Sequence, residues 1–180
     1  SWAHSTPTLA KVAGKTQLLV ATANGPQGLD PASGDILWSY KSKQRMGDTV
    51  SPVFHDGKFY IDSGRGGPGA CYPVGGDKET WTVAVVPEGF SSPVIFGNAI
   101  YRLHSPGMLW ARNWADGKEI FDERLQGVET ASSPFITPEG YIYCVTAGKS
   151  FVVKAGSTLE VIGQSDLGDA NRSDRKSTRL

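Results

Sequence analysis

The chain reads as short apolar stretches broken at regular intervals by polar or glycine-bearing turns. The stretches are rich in β-branched and aromatic residues, which predicts many short strands joined by turns and argues against a helical bundle. A two-residue signature sets their phase. Thr6-Pro7, Ser51-Pro52, Ser92-Pro93 and Ser133-Pro134 recur with their prolines 45, 41 and 41 residues apart, so the chain holds four units of about 41 residues. Each proline is followed by an apolar stretch (Val53-Phe54 or Val94-Ile95-Phe96), a turn (Asp56-Gly57 or Gly97-Asn98) and a second strand (Phe59-Tyr60-Ile61 or Ala99-Ile100-Tyr101). Two antiparallel strands therefore open every unit, and a small-residue loop carrying Gly25, Gly64 to Gly69, Gly107 or Gly148 leads to the third.

The third and fourth strands are joined by a corner, clearest at residues 28–38. Asp30 can accept backbone N–H bonds two residues on, Pro31 presets φ, and Gly34 supplies a positive φ, after which Trp38 has a large apolar face to bury on a neighbour. Residues 111–121 repeat this spacing with Asn113, Gly117 and Phe121. Residues 71–81 keep the register but place Pro73 at the Asp position and Gly76 one residue off, and the corner of residues 154–161 is shorter and lacks the aromatic. Four strands per unit of about 40 residues predict an all-β fold, a β-propeller segment of four four-stranded antiparallel blades at about 5–49, 50–90, 91–131 and 132–169. An immunoglobulin-type sandwich would leave the fixed period without a cause.

The corner resembles the tryptophan-docking pattern A-x-D-x-x-T-G-x-x-x-W of the pyrroloquinoline-quinone-like (PQQ-like) propeller repeats, the family of BamB-like and quinoprotein-type propellers. Asp30, Ser33, Gly34 and Trp38 match with Thr changed to Ser and Gly28 in place of the leading Ala, and Ala111, Asn113, Gly117 and Phe121 match more loosely. The resemblance covers residues 1 to about 169. It implies that Trp38 and Phe121 are structural docking residues buried between adjacent sheets, with their corners at Gly34 and Gly117. Because PQQ-like rings usually have more blades, it also implies an open arc with apolar end faces. An extracytoplasmic location, in the periplasm, cell envelope or secreted, is implied as well. The catalytic branch of the family uses adjacent cysteines, a calcium site of Glu and Asn, and a catalytic Asp. Cys71 and Cys144 lie in different units, so neither PQQ nor calcium is expected as a cofactor.

Charge changes the picture at one end only. The chain carries 18 basic and 18 acidic residues, but residues 171–180 hold Arg172, Arg175, Lys176 and Arg179 against Asp174, leaving a mildly acidic body. Nucleic acid is a poor partner for such a body, because phosphate binding needs clustered Lys and Arg. The next Ser-Pro would fall at Asp174-Arg175, so the repeat stops and the segment 171–180 is expected to be a disordered or appended tail. No apolar run approaches the roughly 18–20 residues that span a bilayer. The cysteines form no C-x-x-C pair and are expected to be buried free thiols.

Chemical motifs are sparse. Residues 64–69 satisfy G-x-G-x-x-G after a strand, but no helix follows to bind a pyrophosphate, so a flexible inter-strand loop is expected. Gly14-Lys15-Thr16 lacks the first glycine of a phosphate loop, and residues 75–81 miss the Ser and Gly of a sialidase-type box. His4, His55 and His104 occupy non-equivalent positions and are expected in turns or loops. No G-x-S-x-G elbow is present. One constellation has a regular placement: Asp48, Glu88 and Glu129 precede the first strands of three units, and a propeller would put them on the same face as the Gly-rich loop with Arg65. These four residues form the candidate ligand face, with no catalytic, cofactor or metal residue assigned. The resulting expectation is a non-catalytic binding or scaffold module whose partner is another protein or further blades. The alternative is a fragment of a PQQ-dependent dehydrogenase or a propeller hydrolase.

Overall fold

The structure, a computed structural model, describes residues 4–22, 25–41, 49–76, 78–128, 132–146 and 148–167. It is all-β. The first sheet consists of β1 (Thr8–Val12), β2 (Lys15–Thr22), β3 (Gly25–Leu29) and β4 (Ile36–Ser39) in that spatial order. The second is β5 (Val53–His55), β6 (Lys58–Asp62), β7 (Gly69–Pro73) and β8 (Trp81–Val83), and the third is β9 (Val94–Phe96), β10 (Ala99–His104), β11 (Met108–Asn113) and β12 (Glu119–Arg124). The fourth comprises β13 (Phe135–Ile136), β14 (Tyr141–Thr146), β15 (Lys149–Lys154) and β16 (Glu160–Asp166). Every pairing is antiparallel between sequence neighbours. No helix among the described residues is long and apolar enough to cross a membrane.

The sheets meet through their first strands: β1 touches β5, β5 touches β9, and β9 touches β13. Among the described residues no comparable contact returns from β13 to β1, so the four blades, as described, form an open arc. The Ser/Thr-Pro signature acquires a role here. The backbone N–H of Thr6 donates to Ser51 Oγ at 2.8 Å, that of Ser51 to Ser92 Oγ at 3.0 Å, and that of Ser92 to Ser133 Oγ at 2.8 Å. Each signature residue thus stitches one blade to the next, leaving the proline, which has no N–H, at the following position.

Between blades the docking residues interlock. Trp38 pairs with Gly28 across β3 and β4, and a Cβ on Gly28 would lie 2.2 Å from its indole ring, which explains the glycine in place of alanine. Trp38 stacks on Phe59 of the second blade at 5.5 Å and donates from Nε1 to Gln17 Oε1 at 2.7 Å. It is half-buried rather than enclosed. Trp81, the equivalent residue of the second blade, donates from Nε1 to the Trp114 carbonyl at 2.9 Å and covers Gly117, where a Cβ would come within 2.6 Å of its ring. Phe121 is buried in the core shared by blades three and four. Trp38 and Trp81 therefore rest on the next blade, beside Gly75 and over Gly117 of that neighbour's corner, while Phe121 joins the core shared with the fourth blade. The corners fold as side-chain-closed turns, with the Ala32 and Ala115 N–H groups donating to Asp30 Oδ1 and Asn113 Oδ1 at 2.8 Å each.

Candidate functional site

Antiparallel order puts the β1–β2 and β3–β4 type connections at one end of every blade and the β2–β3 loops with the inter-blade connections at the other. The loop between β6 and β7 and the connection between β8 and β9 thus share a face, where Arg65 and Glu88 lie. Glu88 is exposed, and the Arg65 guanidinium lies 5.7 Å from the centre of the Phe90 ring. Asp48, Glu129 and the segment 171–180 lie outside the described residues.

The Gly-rich loop is not the free connection its composition suggests. The Gly64 N–H donates to Asp62 Oδ1 at 2.8 Å and the Gly67 N–H to Ser63 Oγ at 2.9 Å, which closes the loop on itself. Its carbonyls bind the neighbouring connection: Gly67 O accepts from the Val86 N–H at 2.7 Å and Gly64 O from the Gly89 N–H at 3.1 Å. The Ser105 N–H reaches Glu88 O at 3.0 Å and adds the third blade to the same lattice.

Beneath this surface lies an ion pair that sequence reasoning missed. Arg102 of β10 and Asp62 of β6 are both fully buried and paired through two bonds, Nε to Oδ2 at 2.6 Å and Nη2 to Oδ1 at 2.9 Å. Nη2 also reaches Gly89 O at 2.7 Å and Nη1 reaches Leu103 O at 3.1 Å, so each guanidinium nitrogen has an acceptor. A buried charge pair is tolerated when further hydrogen bonds satisfy its remaining groups, and these two bonds serve that end. One guanidinium therefore fixes the end of β6, the Gly-rich loop through Asp62, and the connection through Gly89. Tyr60 is buried beside Asp62, and burial first, then the Asp62 charge, raises its phenol well above the ordinary tyrosine value.

His104 also departs from expectation. It ends β10 inside the protein rather than in a turn, its Nδ1–H donating to the Ser105 carbonyl at 3.0 Å while Nε2 stands 3.7 Å from Asp122 Oδ1. Cys71 and Cys144 are free and buried, and burial pushes both thiols up to about 12, so neither is set up as a nucleophile. Among the described residues no three His, Cys, Asp or Glu side chains come together to hold a metal.

The surface over the clamp is apolar at its crest. Val86 points inward and is fully buried, whereas Val85 is 65% and Phe90 56% exposed on a segment whose backbone is held from below. Charged Arg65 and Glu88 flank them. The segment thus carries two exposed apolar side chains beside charged ones on a backbone held by hydrogen bonds at Val86 and Gly89.

Comparison with known proteins agrees with the fold. No curated protein matches the chain. Among solved structures, the crystal structure of BamB from Moraxella catarrhalis superposes with a TM-score of 0.73 at 15% identity, covering 92% of this chain and 49% of that one. The chain thus spans about half the length of that protein. Two computationally designed proteins are also similar: Ika4 with a TM-score of 0.59 at 13% identity, covering 89% of this chain and 92% of that one, and Ika8 with 0.60 at 10%, covering 90% and 62%. A family model described as outer membrane protein assembly factor BamB matches residues 2–123. Since that match takes in more than half of the chain, and the blades, corners and docking aromatics accompany it, the protein belongs to the BamB family of PQQ-like propellers.

Proposed function

We propose that the chain is a non-catalytic section of a larger propeller that binds a protein partner in the bacterial cell envelope, through the face carrying residues 63–69 and 84–90. The observation that supports this most is Val85 and Phe90, exposed yet mounted on a backbone pinned by the Arg102–Asp62 pair. Exposed apolar side chains on a mobile loop would lose affinity to ordering, whereas a pre-fixed segment offers its apolar area at little entropic cost. Arg65 and Glu88 at the rim supply orientation rather than energy. The family's described role, outer membrane protein assembly, supports an envelope location and a protein partner.

The test places a photo-reactive amino acid at Phe90 in the intact protein within its host, and at Asp56 in the opposite face as a control. A discrete protein adduct is expected from position 90 and none from position 56. Equal adducts from both faces, or none from either, would defeat the proposal.

A further inference from the structure

His104 is a buried titratable group that the contact face leaves unexplained. It ends β10 with its side chain 3% exposed, and alternation along the strand turns it, like Arg102, toward the second blade. Its cross-strand neighbour is Met108 of β11, and its ring reaches past that strand to Asp122 of β12. Both ring nitrogens face oxygen acceptors. Nδ1 lies 3.0 Å from the Ser105 carbonyl, and Nε2 lies 3.7 Å from Asp122 Oδ1 with no hydrogen-bond partner among the described residues.

A neutral imidazole carries a single N–H. The Ser105 carbonyl can only accept, so that hydrogen belongs to Nδ1, and the Nε2 lone pair is left buried against a carboxylate, acceptor facing acceptor. Only a ring with hydrogen on both nitrogens serves both oxygens. The second contact then needs about 1 Å of side-chain movement to become a charge-assisted bond of ordinary length.

Backbone bonds tie the ring to the contact segment. Ser105, whose carbonyl takes the Nδ1–H, donates its own N–H to Glu88 O at 3.0 Å. Gly89 lies so close over His104 that a Cβ there would sit 3.0 Å from the His104 Cα. Among the charges on the surrounding elements, Arg102 of β10 and Asp62 of β6 answer each other as the buried pair. Met108 of β11 is uncharged. Arg65 of the Gly-rich loop, Glu88 of the connection and Arg124 of β12 are exposed, where water screens them. Asp122, with its side chain 35% exposed, is the charge that meets Nε2.

We infer that His104 and Asp122 form a proton-operated clasp beneath the 84–90 segment, open when the ring is neutral and closed when it is an imidazolium. Histidine is the side chain that ordinarily changes charge between pH 5 and 8, so mild acid is the closing condition. Closure joins β10 to the outermost strand β12 and makes the bond to Ser105 charge-assisted, which firms the backbone beneath Val85 and Phe90. The clasp bears on the proposed contact face, but it belongs to the chain by itself, so its test is independent of the adduct at position 90.

The experiment compares urea unfolding of the parent, Asp122→Asn, His104→Gln and the double variant at pH 5.5 and pH 8, with nitrogen-15 spectra of the histidine rings and amide exchange at both. The clasp contributes in acid, where the ring is charged, and is lost as pH rises. Asp122→Asn should therefore barely move the urea midpoint at pH 8 and lower it clearly at pH 5.5, and in the His104→Gln background that difference should vanish. Exchange protection of the Gly89 and Ser105 amides, corrected for intrinsic rates, should rise about fivefold from pH 8 to pH 5.5 in the parent, the worth of roughly one hydrogen bond, and stay level in Asp122→Asn. The His104 ring should carry hydrogen on both nitrogens at pH 5.5 and on Nδ1 alone at pH 8. Should His104→Gln fail to fold, the ring spectra and exchange of the parent and Asp122→Asn decide the matter. An Asp122→Asn effect equal at both pH values, or an Nε2 still bare at pH 5.5, would overturn the inference.

Discussion

At the scale of the residue, the molecule depends most on a few buried polar groups with several partners each. Arg102 is the clearest, with its carboxylate and two carbonyl acceptors all inside the protein. Arg102→Ala leaves Asp62 charged and buried, so equilibrium unfolding in urea should show a loss of about 3–5 kcal/mol. The double change Arg102→Met with Asp62→Leu removes both charges and should lie closer to the parent than the single one. If the double change were the worse, the pair would be contributing net stability rather than position. Ala13 is a smaller opportunity. It holds φ 49° in a two-residue hairpin with Gly14, a conformation that costs an alanine roughly 1 kcal/mol. Ala13→Gly is expected to raise stability by a few tenths of a kcal/mol or more, read as a shifted urea midpoint at constant slope.

At the scale of the element, the sheet register explains what could and could not be read from the sequence. Corners and aromatics were legible because they need special residues at fixed spacing: a side-chain acceptor at Asp30 or Asn113, glycine at Gly34 or Gly117, and a ring at Trp38 or Phe121. That Trp38 and Trp81 rest at the following blade's corner was not legible, since spacing within a unit says nothing about which neighbour they touch. The Arg102–Asp62 clamp left a fainter trace. The two lie 40 residues apart in a repeat of 41, and one step off register turns their side chains to opposite faces, hence toward each other across the interface. An Arg between Tyr101 and Leu103 in an apolar strand was the available sign. The Gly-rich loop misled because glycine content predicts freedom, whereas the backbone bonds that remove it come from a connection about 20 residues away. Docking also makes a stability prediction. Trp38→Ala should cost about 3 kcal/mol, toward the lower end for a tryptophan because the residue is only half-buried. Gly117→Ala should be costly as well, since its φ of 71° and the Trp81 ring both oppose a Cβ. A Trp38→Ala protein with an unchanged melting curve would show that the ring merely covers the blade.

At the scale of the whole molecule, blades that pack by interlocked aromatic and thiol rows bury groups that ionise only in alkali. Burial raises Tyr72 to about 12 and lifts Tyr60 and Tyr101 in the same direction, while the Cys71 and Cys144 thiols stand at about 12. In the unfolded chain these groups return to ordinary values of about 10 for tyrosine and 8.5 for cysteine. Above those values the unfolded state binds fewer protons than the folded one, so stability falls as pH rises. Their contribution is complete below about pH 8 and is lost progressively between about pH 9 and 12. All five groups lie in cores shared by two adjacent blades, so ionisation should separate blades rather than fray strand ends. Urea unfolding followed across pH 7–12 should therefore show a flat region and then a steep decline, with tyrosinate absorbance and thiol reaction with an aromatic disulfide rising together at the loss of structure. At pH 8 both thiols should stay unreactive until denaturant is added. Rapid labelling of the folded protein at that pH, or tyrosinate absorbance appearing well before structure is lost, would mean that the inter-blade rows admit solvent and that the packing is looser than the structure describes.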